Sequence, residues 1–348
     1  MTTISIDVMS GDHGAEVTIP AAIESLKTDE ELNVILVGNE EIIKQHLTDS
    51  DINHFQTRLR IHHASEIVEM DESPALALKK KKDSSMRIAI NLVKEGESQA
   101  AVSAGNTGAL MATSRFVLKM IPGIDRPAIC SALPTEHSSV YMLDLGANVD
   151  STPEMLLQFA FMGSEICKAT HRIKEPRIHL LNVGSEEIKG SVKVKATAEL
   201  LNKSSLNYHG YLEGDEIFTD KSDVIVCDGF EGNIALKTSE GVARLISNII
   251  KNEFSNSPLR KLFAMFSIAA FKSIKKRLDP REYNGATLAG LRGVVIKSHG
   301  GTDAIGFAAA IRVASNEAKR QLPERISAAI EELNDIFEEE VLAENVDS

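Results

Sequence analysis

Residues 100–109 read A-A-V-S-A-G-N-T-G-A, an apolar run that gives way at Ser103 to small polar residues and then to a stretch of helical composition. Strand, small tail and helix are the unit from which α/β sheets are built. The tail itself narrows the chemistry. Small side chains let a backbone approach a ligand closely, and successive amides at a strand-to-helix turn form an anion-binding nest backed by the helix N-terminus. Ser103, Asn106 and Thr107 add side-chain hydrogen bonds, while Gly105 and Gly108 add room. The spacing is not G-x-G-x-x-G and no lysine brackets it as in a P-loop, which disfavours dinucleotide and ATP chemistry. A turn of purely structural use stays open.

The same unit recurs in both directions from this stretch. Apolar runs at 4–9, 34–37, 59–62, 140–145, 178–183, 224–227 and 294–297 alternate with helical segments, which predicts a mostly parallel sheet covered by helices. Six runs finish in small polar residues: S-G-D-H-G, S-A-G-N-T-G, D-L-G-A-N, L-N-V-G-S-E-E, C-D-G-F-E-G-N and S-H-G-G. Ligands of open α/β sheets bind outside the carboxyl ends of strands, so the six tails are expected to form one shared site. The 348 residues are read as a single α/β unit over 1–323, or two intimately joined lobes, followed by an acidic helical tail over 324–348.

Composition sets limits. A formal net charge of −12 argues against wholesale nucleic-acid binding, which needs dense basic surfaces. Cys130, Cys167 and Cys227 are widely spaced and lack a C-x-x-C pair, so neither a disulfide framework nor a zinc site is indicated. The N-terminus lacks the features of a signal peptide and no apolar run reaches membrane-spanning length, so a cytoplasmic protein is expected. One segment opposes the acidic trend. Within 255–283, projection at about 100° per residue puts Leu259, Leu262, Phe263, Phe266, Ala270 and Ile274 on one arc. Arg260, Lys261, Lys272, Lys275 and Lys276 fall on the opposite arc. That pattern suits a helix lying on a membrane surface or a core-packing or dimer-forming helix; the density of Phe and Met favours the membrane.

Three further tails carry chemistry. Asp7, Asp12 and His13 cluster after the first strand, as acid–base, metal-binding or orienting groups. In L-L-N-V-G-S-E-E-I-K-G, Lys189 can neutralise phosphate or an oxyanion, or simply pair with Glu186. In C-D-G-F-E-G-N, Asp228 and the glycines precede a helix on which Asn233 can donate to a carbonyl oxygen. No spacing points to a covalent protein nucleophile, so the nucleophile is expected to be a substrate.

Taken together, S-A-G-N-T-G-A, G-I-D-R-P-A, L-L-N-V-G-S-E-E-I-K-G, C-D-G-F-E-G-N-I-A-L-K-T, D-P-R-E-Y-N-G and K-S-H-G resemble, in order and over residues 4–315, the bacterial phosphate acyltransferases. These are the acyl-carrier-protein:phosphate transacylases of the PlsX family. The first motif departs from the family's usual Asp-Ala-Met-Gly-Gly-Asp at Val8 and Ser10. The resemblance implies transfer of a fatty acyl group from acyl carrier protein to inorganic phosphate, giving acyl phosphate for phospholipid synthesis, without cofactor or metal. It also implies a homodimer with an isocitrate/isopropylmalate-dehydrogenase-like architecture similar to phosphotransacetylase. Peripheral membrane association and a membrane glycerol-3-phosphate acyltransferase as partner belong to the same expectation.

On that reading phosphate sits near Gly105–Gly108 with Ser103, Asn106, Thr107, Asp228 and His299 in the substrate site. Lys189 and Asn233 stabilise the tetrahedral oxyanion, and Asp7, Asp12 and His13 orient. Leu259, Leu262, Phe263, Phe266 and Ile274 would meet the membrane or acyl chain. An acidic enzyme needs local basic surface to attract an acidic carrier protein; Lys79, Lys80, Lys81, Lys82 and Arg87 are the candidates, against a merely solvated charge run. The competing readings are a phosphotransacetylase-like enzyme acting on acyl-CoA, a dehydrogenase on the related fold, and a non-enzymatic membrane scaffold.

Overall fold

The computed structural model describes residues 1–255, 279 and 281–333. In chain order its strands are β1 (Thr2–Asp7), β2 (Leu32–Gly38), β3 (Leu59–His63), β4 (Ala100–Ser103), β5 (Ala128–Pro134), β6 (Ser139–Leu143), β7 (Ile178–Leu181), β8 (Tyr208–Leu212), β9 (Val224–Val226), β10 (Ala286–Ala289) and β11 (Val294–Lys297). The helices are α1 (Ala15–Thr28), α2 (Glu40–His46), α3 (Asp49–Phe55), α4 (Pro74–Lys80), α5 (Ser85–Lys94), α6 (Thr107–Leu118), α7 (Pro153–His171), α8 (Val192–Lys203), α9 (Gly229–Ser255) and α10 (Ala304–Lys319). A further helix, α11, runs over 322–333.

All eleven strands join one sheet in the order β3-β2-β1-β4-β11-β10-β5-β6-β9-β7-β8. The alternation of side chains along β2 shows why its apolar run is continuous. Val34 and Leu36 enter the core beneath α1 and α10, whereas Ile35 and Val37 enter a second core beneath α5 and α6. A strand covered on both faces has no polar side to present.

The expected sheet is mostly parallel, and so it is on both sides of an interruption. β10 runs antiparallel to β11 and to β5, and β5 runs antiparallel to β6. The six carboxyl-end tails therefore form two groups of three, after β1, β4 and β11 and after β6, β7 and β9, rather than one continuous set. Because β5 and β6 are antiparallel, the second group follows strands that run opposite to those of the first; strand twist of roughly 20–25° per step adds up to roughly 120–150° over the six steps from β1 to β9.

Helix starts are written in side chains. Thr152 caps α7 by accepting from Met155 N with Pro153 at the first helical position, and Asp303 caps α10 by accepting from Gly306 N at 3.0 Å. The tail expected from 324 begins inside α11, whose Leu322, Ile326, Ile330 and Leu333 are buried with the main core. Its first turns are therefore part of the body, because its apolar stripe has a core to fill. Residues 334–348 lie outside the described residues, as do Leu259, Leu262, Phe263, Phe266 and Ile274.

The segment leading to them is described. On α9, Val242, Leu245, Ile246, Ile249 and Ile250 are all between 40% and 58% exposed, an apolar stripe at helical spacing left open to solvent. No described helix is long and apolar enough to cross a membrane.

Candidate active site

The first group of tails is held by a chain of hydroxyls. Asp7, at the end of β1 and only 2% exposed, accepts a 2.6 Å hydrogen bond from Ser103 Oγ at the end of β4. The same Ser103 Oγ accepts from Gly105 N at 3.1 Å. Ser10 Oγ donates to Asp7 O at 2.6 Å and accepts from Ala104 N at 2.9 Å. Thus Ser10, one of the two departures from the family motif, stitches two tails together. Asp12 N reaches the third tail by donating to Gly300 O at 3.0 Å. There Gly301 N donates to His299 Nδ1 at 3.1 Å and His299 N to Asn284 Oδ1 at 2.9 Å. His299, Asp12 and His13 are exposed.

A buried carboxyl, Asp7, and a partly buried lysine, Lys297, influence each other in this group. Burial pushes the Asp7 carboxyl up to about 6, against hydrogen bonds from Ser103 and Ser85 and the charge of Lys297. Among the described residues Asp7 Oδ1 has no hydrogen-bond partner. Burial pushes Lys297 down to about 8, opposed by Asp12 and Asp7 and helped by Lys237. Lys297 is paired in register with Ser103 across β11 and β4, and its Nζ donates to Ala104 O at 3.2 Å and to Ser298 O. The sequence reading missed it. A lysine closing an apolar strand looks like a strand end reaching solvent, and only its place before S-H-G signalled otherwise.

The opening turn turns out to be partly self-satisfied. Ala104 N, Gly105 N and Ala109 N are taken by Ser10, Ser103 and Asn106. Asn106 caps α6 with its oxygen and donates through Nδ2 to Met70 O and Glu72 O at 2.8 and 3.0 Å, so it clamps a loop rather than offering itself to a ligand. Gly108 packs so closely under Pro74 that a Cβ would come within 2.8 Å of its ring. Thr107 and Gly108 remain exposed at the helix start.

The second group is organised by Asp144, which is fully buried. Its carboxylate accepts from Ile129 N, Gly146 N, Ala147 N, Asn148 N and Asn148 Nδ2 at 2.7–3.1 Å, fixing the D-L-G-A-N turn. The first turn of α9 rests on it. A Cβ at Gly232 would stand 2.0 Å from Asp144 O, and one at Gly229 would stand 2.1 Å from Asn148 O, so only glycine permits the approach. Asn233 is thereby exposed over Gly146. Asp228 accepts from Ser151 N at 2.6 Å, Lys193 Nζ at 2.7 Å and Phe230 N at 2.9 Å. Burial would raise its carboxyl, but Lys193 and the two amides outweigh that and hold it below its ordinary value. Its oxygens are engaged by these donors, which makes it an organising anion and argues against phosphate contact; Lys193, on α8, was not singled out from sequence.

Lys189 stands in the loop between β7 and α8, half-exposed, with Nζ 2.8 Å from Glu186 Oε2. The pairing raises the lysine and lowers the glutamate. This is the surface ion pair that the spacing allowed, so Lys189 must release Glu186 to act on a substrate. Between this loop and the start of α9 lies a cavity of about 610 Å³, walled by Leu156, Leu181, Val194, Ile217, Ile234 and Ala235 with Lys193 and Asp228 at its edge. Lys79, Lys80 and Lys82 are exposed at the end of α4, Lys81 is half-buried, and Arg87 lies over the Phe116 ring at 5.1 Å.

The chain is similar along most of its length to proteins of known family. The family model described as fatty acid synthesis protein matches residues 2–325. The phosphate acyltransferase of Methylococcus capsulatus is 52% identical over 337 residues, covering 97% of this chain and 98% of that protein. The phosphate acyltransferase of Alcanivorax borkumensis is 53% identical over 331 residues, covering 95% and 98%. Among solved structures, a phosphotransacetylase from Streptococcus pyogenes matches with a TM-score of 0.61 at 18% identity, covering 91% of this chain and 94% of that one. At that identity the likeness speaks for the fold alone.

Proposed function

We propose, for a chain that belongs to the fatty acid synthesis protein family and is a phosphate acyltransferase, that its donor is a fatty acyl thioester of acyl carrier protein and its product an acyl phosphate for phospholipid synthesis. The observation that carries the donor's apolar character is the cavity of about 610 Å³, within the roughly 300–1,000 Å³ of small-molecule sites. It is flanked by the loop that bears Lys189 and the helix start that bears Asn233.

In the reaction, a phosphate oxygen attacks the thioester carbonyl. The C–O bond forms, negative charge gathers on the carbonyl oxygen, and collapse breaks the C–S bond and expels the carrier thiolate, which takes up a proton. Phosphate is already anionic at neutral pH and needs little help from a base. Lys189, once it leaves Glu186, and Asn233 donate to the oxyanion. Gly105, Thr107 and Gly108 border the phosphate approach, and Asp7, Asp12, His13 and His299 orient the tails.

Lys79–Lys82 and Arg87 supply basic surface for the acidic carrier. The open apolar stripe of α9 suits a second copy of the chain and leads toward the basic apolar segment assigned to the membrane surface. Recipient of the product would be a membrane glycerol-3-phosphate acyltransferase.

The decisive assay incubates pure protein and labelled phosphate with acyl carrier protein thioester or, in parallel, acyl-CoA, and follows acyl phosphate. Product from the carrier thioester at far higher kcat/KM is expected; preference for acyl-CoA would overturn the carrier assignment. Removing one oxyanion donor typically costs about a hundred- to a thousandfold in turnover, so near-normal rates in both Lys189→Ala and Asn233→Ala would remove them from the mechanism.

A further inference from the structure

Three helix starts meet on one carboxylate to which the mechanism above gives no part. Asp228 lies between β9 and α9 and is 5% exposed. It accepts from Ser151 N at 2.6 Å, just ahead of the Thr152 cap of α7, and from Phe230 N at 2.9 Å in the first turn of α9. A third donor is Lys193 Nζ at 2.7 Å, from the first turn of α8. The Lys193 side chain is 25% exposed and also stands 3.8 Å from Asp150 Oδ1, a looser contact to a fully solvated carboxylate.

Capping alone does not call for a lysine there. Asp144, the other carboxylate on which α9 rests, is satisfied by the N–H groups of Ile129, Gly146, Ala147 and Asn148. What Lys193 adds is a tie between the elements that carry Lys189 and Asn233. Lys189 is in the loop that leads into α8, four residues before Lys193. Asn233 is five residues past Asp228 on α9 and stands over Gly146. Lys193 and Asp228 both line the cavity of about 610 Å³, so their bond joins one helix start to the other at its edge. A short ion pair with this little exposure is a stiff link, because parting it leaves a poorly hydrated charge without a partner.

We propose that Lys193 is a positioning residue for acyl transfer: through Asp228 it fixes the first turn of α9 against α8 and so sets where Asn233 stands relative to the Lys189 loop. It touches neither substrate. This assignment rests on the oxyanion roles given to Lys189 and Asn233 above.

Lys193→Met, Asn233→Ala and the protein carrying both are compared with wild type in the acyl phosphate assay, at a temperature where circular dichroism shows each one folded. A misplacement of about 1 Å can cost about a hundredfold in rate, so Lys193→Met is expected to lower kcat about ten- to a hundredfold. KM for phosphate and for the thioester should stay within about threefold. In the Asn233→Ala background the same substitution should change kcat by less than about threefold, since residues that act as a unit are not additive. A third variant, Lys193→Met/Asp228→Asn, removes both charges and relieves the stranded carboxylate but leaves α8 and α9 untied. It should regain stability toward urea without regaining kcat.

Recovery of kcat together with stability would make the pair merely structural and overturn the proposal. So would losses that multiply in Lys193→Met/Asn233→Ala, or near-normal kcat in Lys193→Met beside a crippled Asn233→Ala. Near-normal kcat in Asn233→Ala itself is the separate result that sinks the oxyanion role, and this inference with it. Should Lys193→Met fail to fold, Lys193→Met/Asp228→Asn takes its place in the comparison with Asn233→Ala, and wild-type kcat there overturns the proposal.

Discussion

Glu317 offers a test of the core's electrostatics that is independent of catalysis. It lies on α10, 3% exposed, where Thr287 Oγ1 of β10 donates to Oε1 at 2.5 Å and Oε2 has no partner among the described residues. Burial pushes its carboxyl up to about 8 from an ordinary 4.5, with only the Thr287 bond opposing. A carboxyl raised on folding contributes fully below its unfolded value and progressively costs stability as pH rises to its folded one. The slope is about 1.4 kcal/mol per pH unit. By pH 7 the native state is therefore penalised by about 3 kcal/mol relative to a neutral isostere. Glu317→Gln supplies that isostere, keeping an acceptor for Thr287 and placing an N–H where the protonated acid would place its O–H. Urea unfolding should show the two proteins within about 1 kcal/mol at pH 5 and the variant about 3–4 kcal/mol more stable at pH 7.5. A difference that does not change with pH, or a less stable variant at pH 7.5, would refute the assignment of a neutral, desolvated Glu317.

Other consequences can be measured directly. Gly232→Ala forces a methyl against Asp144 O, so the start of α9 must lift; a loss of about 1–3 kcal/mol in thermal or urea unfolding, with a fall in turnover, is expected. Lys193→Met strands the 5% exposed Asp228 without its cation and should cost about 3–5 kcal/mol. Adding Asp228→Asn should restore part of this in a double-mutant cycle. Cys130, Cys167 and Cys227 are free and buried, with thiols raised chiefly by burial. A thiol reagent should therefore label none of them in native protein and all three in denaturant.

Most of the strands that were legible have both faces buried, because a continuous run such as Val34–Leu36 within β2 advertises itself; β3, at the sheet edge, was read although it is partly exposed. β5, β8 and β10 were missed for related reasons. β5 ends in Pro134, β8 is broken by Gly210 and carries His209, and β10 is four residues with a threonine in the middle. The antiparallel interruption could not be read, since direction in a sheet is a property of pairing partners far apart in the chain. The tails were legible because small polar residues after an apolar run are rare without purpose. What each polar residue does in them was less so: Asn106 spends its amide on Met70 and Glu72, and Asp228 its carboxylate on Lys193, which no spacing signalled, whereas the Lys189–Glu186 pair was one of the two readings its spacing offered. Lys297 escaped notice because a charge is informative only once its surroundings are known.

The strand order also bears on how the protein is made. β4 lies between β1 and β11, and β5 between β10 and β6, so residues near position 100 and position 130 await partners at 294–297 and 286–289, far later in the chain. A nascent chain elongating at about 5–20 residues per second carries those two open edges for about ten to forty seconds before 286–297 emerge. Open edges invite pairing with other chains. Those edges stay open until late in synthesis, and slow codons or truncation between β5 and residue 286 should harm yield more than the same defects placed after 297.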